Sequence, residues 1–170
     1  MQKKSIYVVY TGGTIGMQHS DHGYIPVSGH LQRQLAKMPE FHREEMPNFT
    51  IKEHLPLIDS SNITPEDWQS IADDISENYC HYDGFVILHG TDTMAFTASA
   101  LSFMFEGLAK PVIVTGSQIP LEALRSDGQT NLLNALYIAA HHPINEVALF
   151  FNNTLYLSLI HISEPTRLDV

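Results

Sequence analysis

Ile6-Tyr7-Val8-Val9-Tyr10-Thr11-Gly12-Gly13-Thr14-Ile15 and Gly84-Phe85-Val86-Ile87-Leu88-His89-Gly90-Thr91-Asp92-Thr93 share one form: a short apolar run, then a loop of glycine and threonine. Runs of this length, rich in β-branched and aromatic residues, read as strands buried on both faces, the kind that build parallel sheets. In an open α/β sheet, ligands sit beyond the carboxyl ends of the strands. Both loops are therefore expected to face one crevice and to present threonine hydroxyls and one carboxylate to it.

The chain around these loops keeps an α/β rhythm. Gly16 to Pro26 is polar and glycine-containing and reads as an exposed loop or hairpin carrying Tyr24. Ser28 is expected to cap a helix running to about Met38, and Phe49 to Leu55 is a weaker strand. Thr64-Pro65-Glu66-Asp67 is a strong helix start, with a threonine cap, proline at the first helical position and acids at the positive end of the dipole. Helices are expected over 91–107 and 127–140, and strands over 111–115 and 146–151. Strands alternating with helices predict right-handed βαβ units and a doubly wound, mostly parallel sheet.

Composition narrows the function classes. The 170 residues carry a net charge of −10, which argues against a nucleic-acid surface and against polybasic contact with a membrane. No apolar run approaches the length of a membrane span, and nothing before the first strand has the form of a secretory signal. Cys80 is the only cysteine, so an internal disulfide is impossible and a cytoplasmic location is compatible. The histidines, including His19, His22, His141 and His142, lack metal-site spacing with a partner carboxylate, so no metal is expected.

The loops carry the chemistry. In Thr11-Gly12-Gly13-Thr14-Ile15 the glycines allow a sharp turn and close approach to the main chain. Thr14 then offers a hydroxyl with few rotamers, which becomes a nucleophile once a base removes its proton. The plainer alternative is a tight strand-to-helix turn with Thr14 as a cap. Asp92 can cap a helix or bind an ammonium group, and Thr91 can act as a second nucleophile or a proton relay. Asp59-Ser60-Ser61 can hold a carboxylate or simply precede the Thr64 cap. A phosphate-binding loop is disfavoured, because the dinucleotide glycine pattern and the P-loop lysine are both missing.

Together, Thr11-Gly12-Gly13-Thr14-Ile15, Asp59-Ser60-Ser61, His89-Gly90-Thr91-Asp92-Thr93 and Val114-Thr115-Gly116-Ser117-Gln118 resemble the bacterial L-asparaginase family, and within it the cytoplasmic type I enzymes of enteric bacteria. The resemblance runs from Met1 to about Tyr156. It implies hydrolysis of L-asparagine to aspartate and ammonia without a cofactor, with L-glutamine as a second substrate to consider. It implies Thr14 as nucleophile, Tyr24 as the residue that orients it when the loop closes, and Thr91 as activator of a nucleophile or water. It further implies that Asp92 holds the substrate α-ammonium, that Asp59, Ser60 and Ser61 hold the α-carboxylate, and that Ser117 lines the pocket floor. A homodimer or homotetramer is implied for the intact enzyme.

One departure stands out. The family places a catalytic lysine in a Thr-Thr-Lys motif soon after the strand ending near Phe151, whereas no lysine follows Lys110 here. Residues 157–170 instead resemble the conceptual translation of a transposase-type sequencing-library adapter. The expectation is an incomplete N-terminal catalytic domain over 1–156, a non-native tail, an absent C-terminal domain and an inactive 170-residue chain. The alternatives are an asparaginase-like subunit of a tRNA-linked amidotransferase, which would carry an extra N-terminal region, and a non-catalytic small-ligand-binding α/β module.

Overall fold

The computed structural model describes residues 2–157. Its strands are β1 (Ser5–Tyr10), β2 (Met17–Ser20), β3 (Gly23–Pro26), β4 (Asn48–Glu53), β5 (Gly84–Leu88), β6 (Val112–Thr115), β7 (Val147–Phe151) and β8 (Thr154–Leu157). Its α-helices are α1 (His30–Ala36), α2 (Pro65–Asn78), α3 (Met94–Met104) and α4 (Asp127–His141). A six-stranded sheet has the order β4-β1-β5-β6-β7-β8. All its pairings are parallel except β7 with β8. The doubly wound, mostly parallel architecture read from the sequence is the one observed.

The apolar runs explain the layers. Alternate residues of a strand face opposite sides of the sheet, so a run apolar at every position can bury both. Ile6, Val8 and Tyr10 of β1 and Val86 and Leu88 of β5 pack with Leu31 and Leu35 of α1 and Leu132 and Leu136 of α4. Tyr7, Val9, Phe85 and Ile87 face the other way, onto Ile71 and Ile75 of α2 and Ala98 and Leu101 of α3. β1 lies between β4 and β5, so the chain leaves β1 to one side and returns through α2 to the other. That reversal opens a crevice beyond the carboxyl ends of β1 and β5, where the two glycine–threonine loops begin.

Three local expectations are corrected. Ser28 does not cap α1: its hydroxyl donates to Glu53 Oε2 at 2.7 Å, and α1 starts after Gly29 in the left-handed region. α3 begins at Met94 rather than Thr91, because Thr93 turns its hydroxyl to Ser60 O at 2.7 Å and the residues before it stay in the loop. It ends at Met104, short of Gly107. β8 was not foreseen. Asn152 and Asn153 both take positive φ, 48° and 61°, which is the backbone of a two-residue hairpin turn that asparagine tolerates. The reading of the segment beyond Leu157 lies outside the described residues.

The start of α2 is as read. Thr64 Oγ1 accepts from Asp67 N, and Asp67 Oδ2 accepts from Thr64 N at 2.8 Å, closing a reciprocal capping box with Pro65 at the first helical position. Thr64→Ala is expected to lower stability by about 1 kcal/mol. Urea unfolding should show a lower midpoint with an unchanged slope.

Candidate active site

Three loops converge beyond the sheet, and glycine lets them touch. A Cβ on Gly13 would fall 2.7 Å from Gly90 Cα, and Gly13 has φ of 90°. A Cβ on Gly12 would fall 2.2 Å from Ile58 O, and one on Gly90 would fall 2.4 Å from Ser60 Oγ. Each value is below van der Waals contact, so the loop after β1 meets those after β4 and β5 main chain to main chain, and Gly90 receives the Ser60 side chain, only because these positions lack side chains. Hydrogen bonds lock the junction: Thr11 N donates to Leu88 O at 3.0 Å and Ile58 N to Thr11 O at 2.7 Å.

The junction leaves a cavity of about 360 Å³ lined by Thr14, Asp59, Ser60, Thr91 and Asp92, with Met17 and Pro26 from the β2–β3 hairpin at its wall. The structure therefore brings together residues from three separate motifs. Among the described lining residues there is no lysine, arginine or histidine, while two carboxylates are present. A roomier concavity over Glu40, Arg43 and Leu133, and another along the β4 edge, lie away from the loops and gather none of these groups.

Not every expected residue reaches the cavity. Ser61 turns inward on its own loop, donating its N–H and Oγ to Asp59 Oδ1 at 3.1 and 2.9 Å. It orients Asp59 rather than lining the space. Ser117 is buried, with Oγ donating to Ile119 O at 2.7 Å, and does not form the floor. Tyr24 sits on β3 with 46% exposure, its ring edge-on to His19 at 5.5 Å. It is outside the cavity wall that its hairpin builds.

Of the four threonines in the two loops, only Thr14 and Thr91 line the cavity. Thr11 is buried, with its hydroxyl spent on Leu88 O at 2.8 Å, and Thr93 is held by Ser60 O. The expectation that both loops present hydroxyls to one crevice holds for one threonine from each. A neighbour absent from the expected set also emerges. Gln118 Nε2 donates to Thr91 Oγ1 at 3.3 Å, and Asp127 steadies that loop by accepting Gln118 N and Ile119 N at 2.9 and 3.0 Å. The signal was its place just after β6, the next strand along the sheet.

Behind the cavity lies a buried relay. Trp68 Nε1 donates to Thr97 Oγ1 at 2.9 Å, and Thr97 Oγ1 is 2.8 Å from His89 Nε2. His89 Nδ1 is 2.7 Å from Gly90 O. A carbonyl only accepts, so Nδ1 carries the proton, Nε2 accepts from Thr97, and the ring is neutral. Burial holds the His89 pKa below its ordinary value, outweighing the opposing effect of the Gly90 carbonyl. Tyr10, at the end of β1, is likewise buried, and desolvation, with Glu53 adding to it, pushes its phenol well above the ordinary range.

Comparison with known proteins agrees with this geometry. A family model for the N-terminal domain of asparaginases matches residues 5–162. Over 156 residues the chain is 80% identical to L-asparaginase 1 of Escherichia coli (strain K12), covering 92% of this chain and 46% of that protein. It is 43% identical over 175 residues to the 60 kDa lysophospholipase of Mus musculus, covering 91% of this chain and 31% of that protein. Among solved structures, L-asparaginase I of Vibrio cholerae superposes with a TM-score of 0.86 at 71% identity, over 92% of this chain and 47% of that one. The chain thus spans about half the length of these Escherichia coli and Vibrio cholerae asparaginases.

The relay sets a pH dependence. Unfolded His89 takes up a proton as pH falls below its ordinary value of 6.5, while the folded ring resists it. Its contribution to stability is therefore complete above that value and is lost as pH falls towards the folded pKa. His89→Gln is expected to lower stability by about 1–3 kcal/mol at pH ~8, by orphaning buried partners. Urea titrations should show the gap between the two proteins narrowing from pH ~6.5 to ~5.

Proposed function

The chain belongs to the asparaginase family, matching its N-terminal domain, and on that premise we propose that it carries the nucleophile and the ammonium-binding half of an L-asparaginase site. The observation that carries this reading is the meeting of Thr14, Thr91 and Asp92 in one small cavity, beside Asp59 and Ser60. Thr14 Oγ attacks the side-chain carbonyl of asparagine, passing its proton to a base, and a tetrahedral oxyanion forms. Collapse expels the amide nitrogen, which leaves as ammonia after protonation, and an aspartyl ester remains on Thr14. Water then attacks the ester, releasing aspartate and returning the proton to the threonine oxygen. No cofactor takes part.

The lining supports a zwitterionic amino acid. Asp92 suits an α-ammonium, for which a carboxylate in a recess is the natural partner. Ser60, next to the Asp59 oxygen held by Ser61, suits the α-carboxylate through hydroxyl and main-chain donors. Tyr24 reaches Thr14 when the hairpin closes. Ser117 supports the site from below through the Ile119 loop. Thr91 keeps its hydroxyl proton for the substrate or water because its oxygen accepts from Gln118. Glutamine adds one methylene, worth only about 1–3 kcal/mol of discrimination.

A cavity of this size with two carboxylates fits an amino acid far better than a long acyl chain, which needs apolar walls. The net charge of −10 weighs against a tRNA-linked substrate. We place the protein in the cytoplasm and expect a homodimer or homotetramer of the whole enzyme. Residues 1–156 serve, in this reading, as the N-terminal half of that enzyme. The last lysine of the sequence, Lys110, is engaged with the carbonyls of Tyr79 and Tyr82, away from the cavity. The described cavity lining holds no basic residue, and in this reading the 170-residue chain alone is expected to release no ammonia above background.

The test grafts residues 1–156 in place of the matching part of Escherichia coli L-asparaginase 1. The graft should release ammonia from asparagine, and Thr14→Ala should lower kcat by about a thousandfold or more. A folded graft that ignores asparagine, or one indifferent to Thr14→Ala, overturns the reading.

A further inference from the structure

The hairpin of β2 and β3 is loosely built into the molecule. Every β3 residue is exposed, and its internal bonds, such as Ser20 Oγ to Gly23 O at 2.7 Å, hold the hairpin only to itself. Yet Met17 and Pro26, at its two ends, form part of the cavity wall. Among the described residues, one side-chain hydrogen bond ties β2 or β3 to the body: His19 N donates to Glu122 Oε1 at 2.8 Å.

Glu122 is set to do this. It lies on the loop after β6, which Leu121 anchors by donating its N–H to Ile15 O at 3.0 Å, directly behind Thr14. Its second oxygen, Oε2, is 3.1 Å from His30 Nε2 at the start of α1. The His30 side chain is 7% exposed and that of Glu122 23% exposed. His30 Nε2 makes no well-aligned hydrogen bond, and the Glu122 carboxylate lies 3.1 Å from it. One carboxylate thus accepts from the hairpin with one oxygen and sets the other 3.1 Å from a buried ring of α1.

We propose that Glu122 is a positioning residue that latches the Tyr24 hairpin beside the cavity, with His30 as the buried group that aims its carboxylate. The bond to a main-chain N–H fixes β2 whatever side chain His19 carries. Because β3 pairs with β2 along its length, the latch holds both strands and sets the height of Met17 and Pro26 at the cavity wall. Its meaning for catalysis rests on the asparaginase reading; the latch itself does not.

Hydrogen exchange on the 170-residue chain tests it. Glu122→Ala should speed exchange over residues 17–26 by about tenfold or more, with the amides of β5 and β6 unchanged. Glu122→Gln keeps an oxygen that accepts from His19 N and should restore most of the protection. Unchanged hairpin exchange in Glu122→Ala, an equal rise in β5 and β6, or failure of glutamine to restore protection each overturns the latch. Aspartate should slow exchange in the loops that line the cavity of the parent. Its failure to do so counts against the asparaginase reading while leaving the latch to be judged by the variants.

Discussion

Main-chain contact between Gly13 and Gly90 is the constraint on which the rest of the site depends. A parallel sheet sets neighbouring strands about 4.8 Å apart, and loops leaving them side by side normally keep side chains between them. Here those loops close to contact distance, and Gly12 against Ile58 and Gly90 against Ser60 bring in the loop after β4. The cavity is the space left when three loops are pulled together at the point where strand order reverses. A methyl group at Gly12 or Gly13 would displace main chain, and one at Gly90 would displace the Ser60 side chain from the cavity.

Loops packed this tightly need support from the inside, and the His89 relay provides it. The ring sits under the Gly90 carbonyl, with Thr97 of α3 and Trp68 of α2 completing the chain of donors. Two helices on one face of the sheet therefore hold the peptide that precedes Thr91. Buried polar groups of this kind are stabilising only when every member is satisfied. The relay meets that condition with a neutral imidazole, which is why its charge state is coupled to folding rather than to chemistry.

The architecture was legible because the strands are apolar at every position, and such runs have few alternatives in a short α/β chain. The pairing of motifs was legible for the same reason: strand ends locate loops. The side chains that turn away were not. Ser61 and Ser117 lie in the right loops, but a serine hydroxyl satisfies itself on the nearest acceptor, and only coordinates reveal which one. Ser28 failed as a cap because Glu53, distant in sequence, competes for its hydroxyl. The α3 start shifted because Thr93 found an acceptor in Ser60 O across the loop junction. Long-range competition for short polar side chains is invisible to local reading. Gln118 has no role that its motif alone reveals, since its reach to Thr91 depends on the spacing of β5 and β6.

That competition also separates structural hydroxyls from chemical ones. Thr11 and Thr93 donate to main-chain carbonyls and hold strand ends and loops in place. Thr91 takes a long bond from Gln118 through its oxygen, so its own proton remains available. Thr14 lines the cavity beside Gly13, where the main chain is most closely approached. A hydroxyl locked to a carbonyl has a fixed rotamer and a committed proton, and so makes a poor nucleophile. One that lines a recess is not committed to a main-chain carbonyl. The same two loops thus use one threonine each to fix the frame and one each to line the cavity.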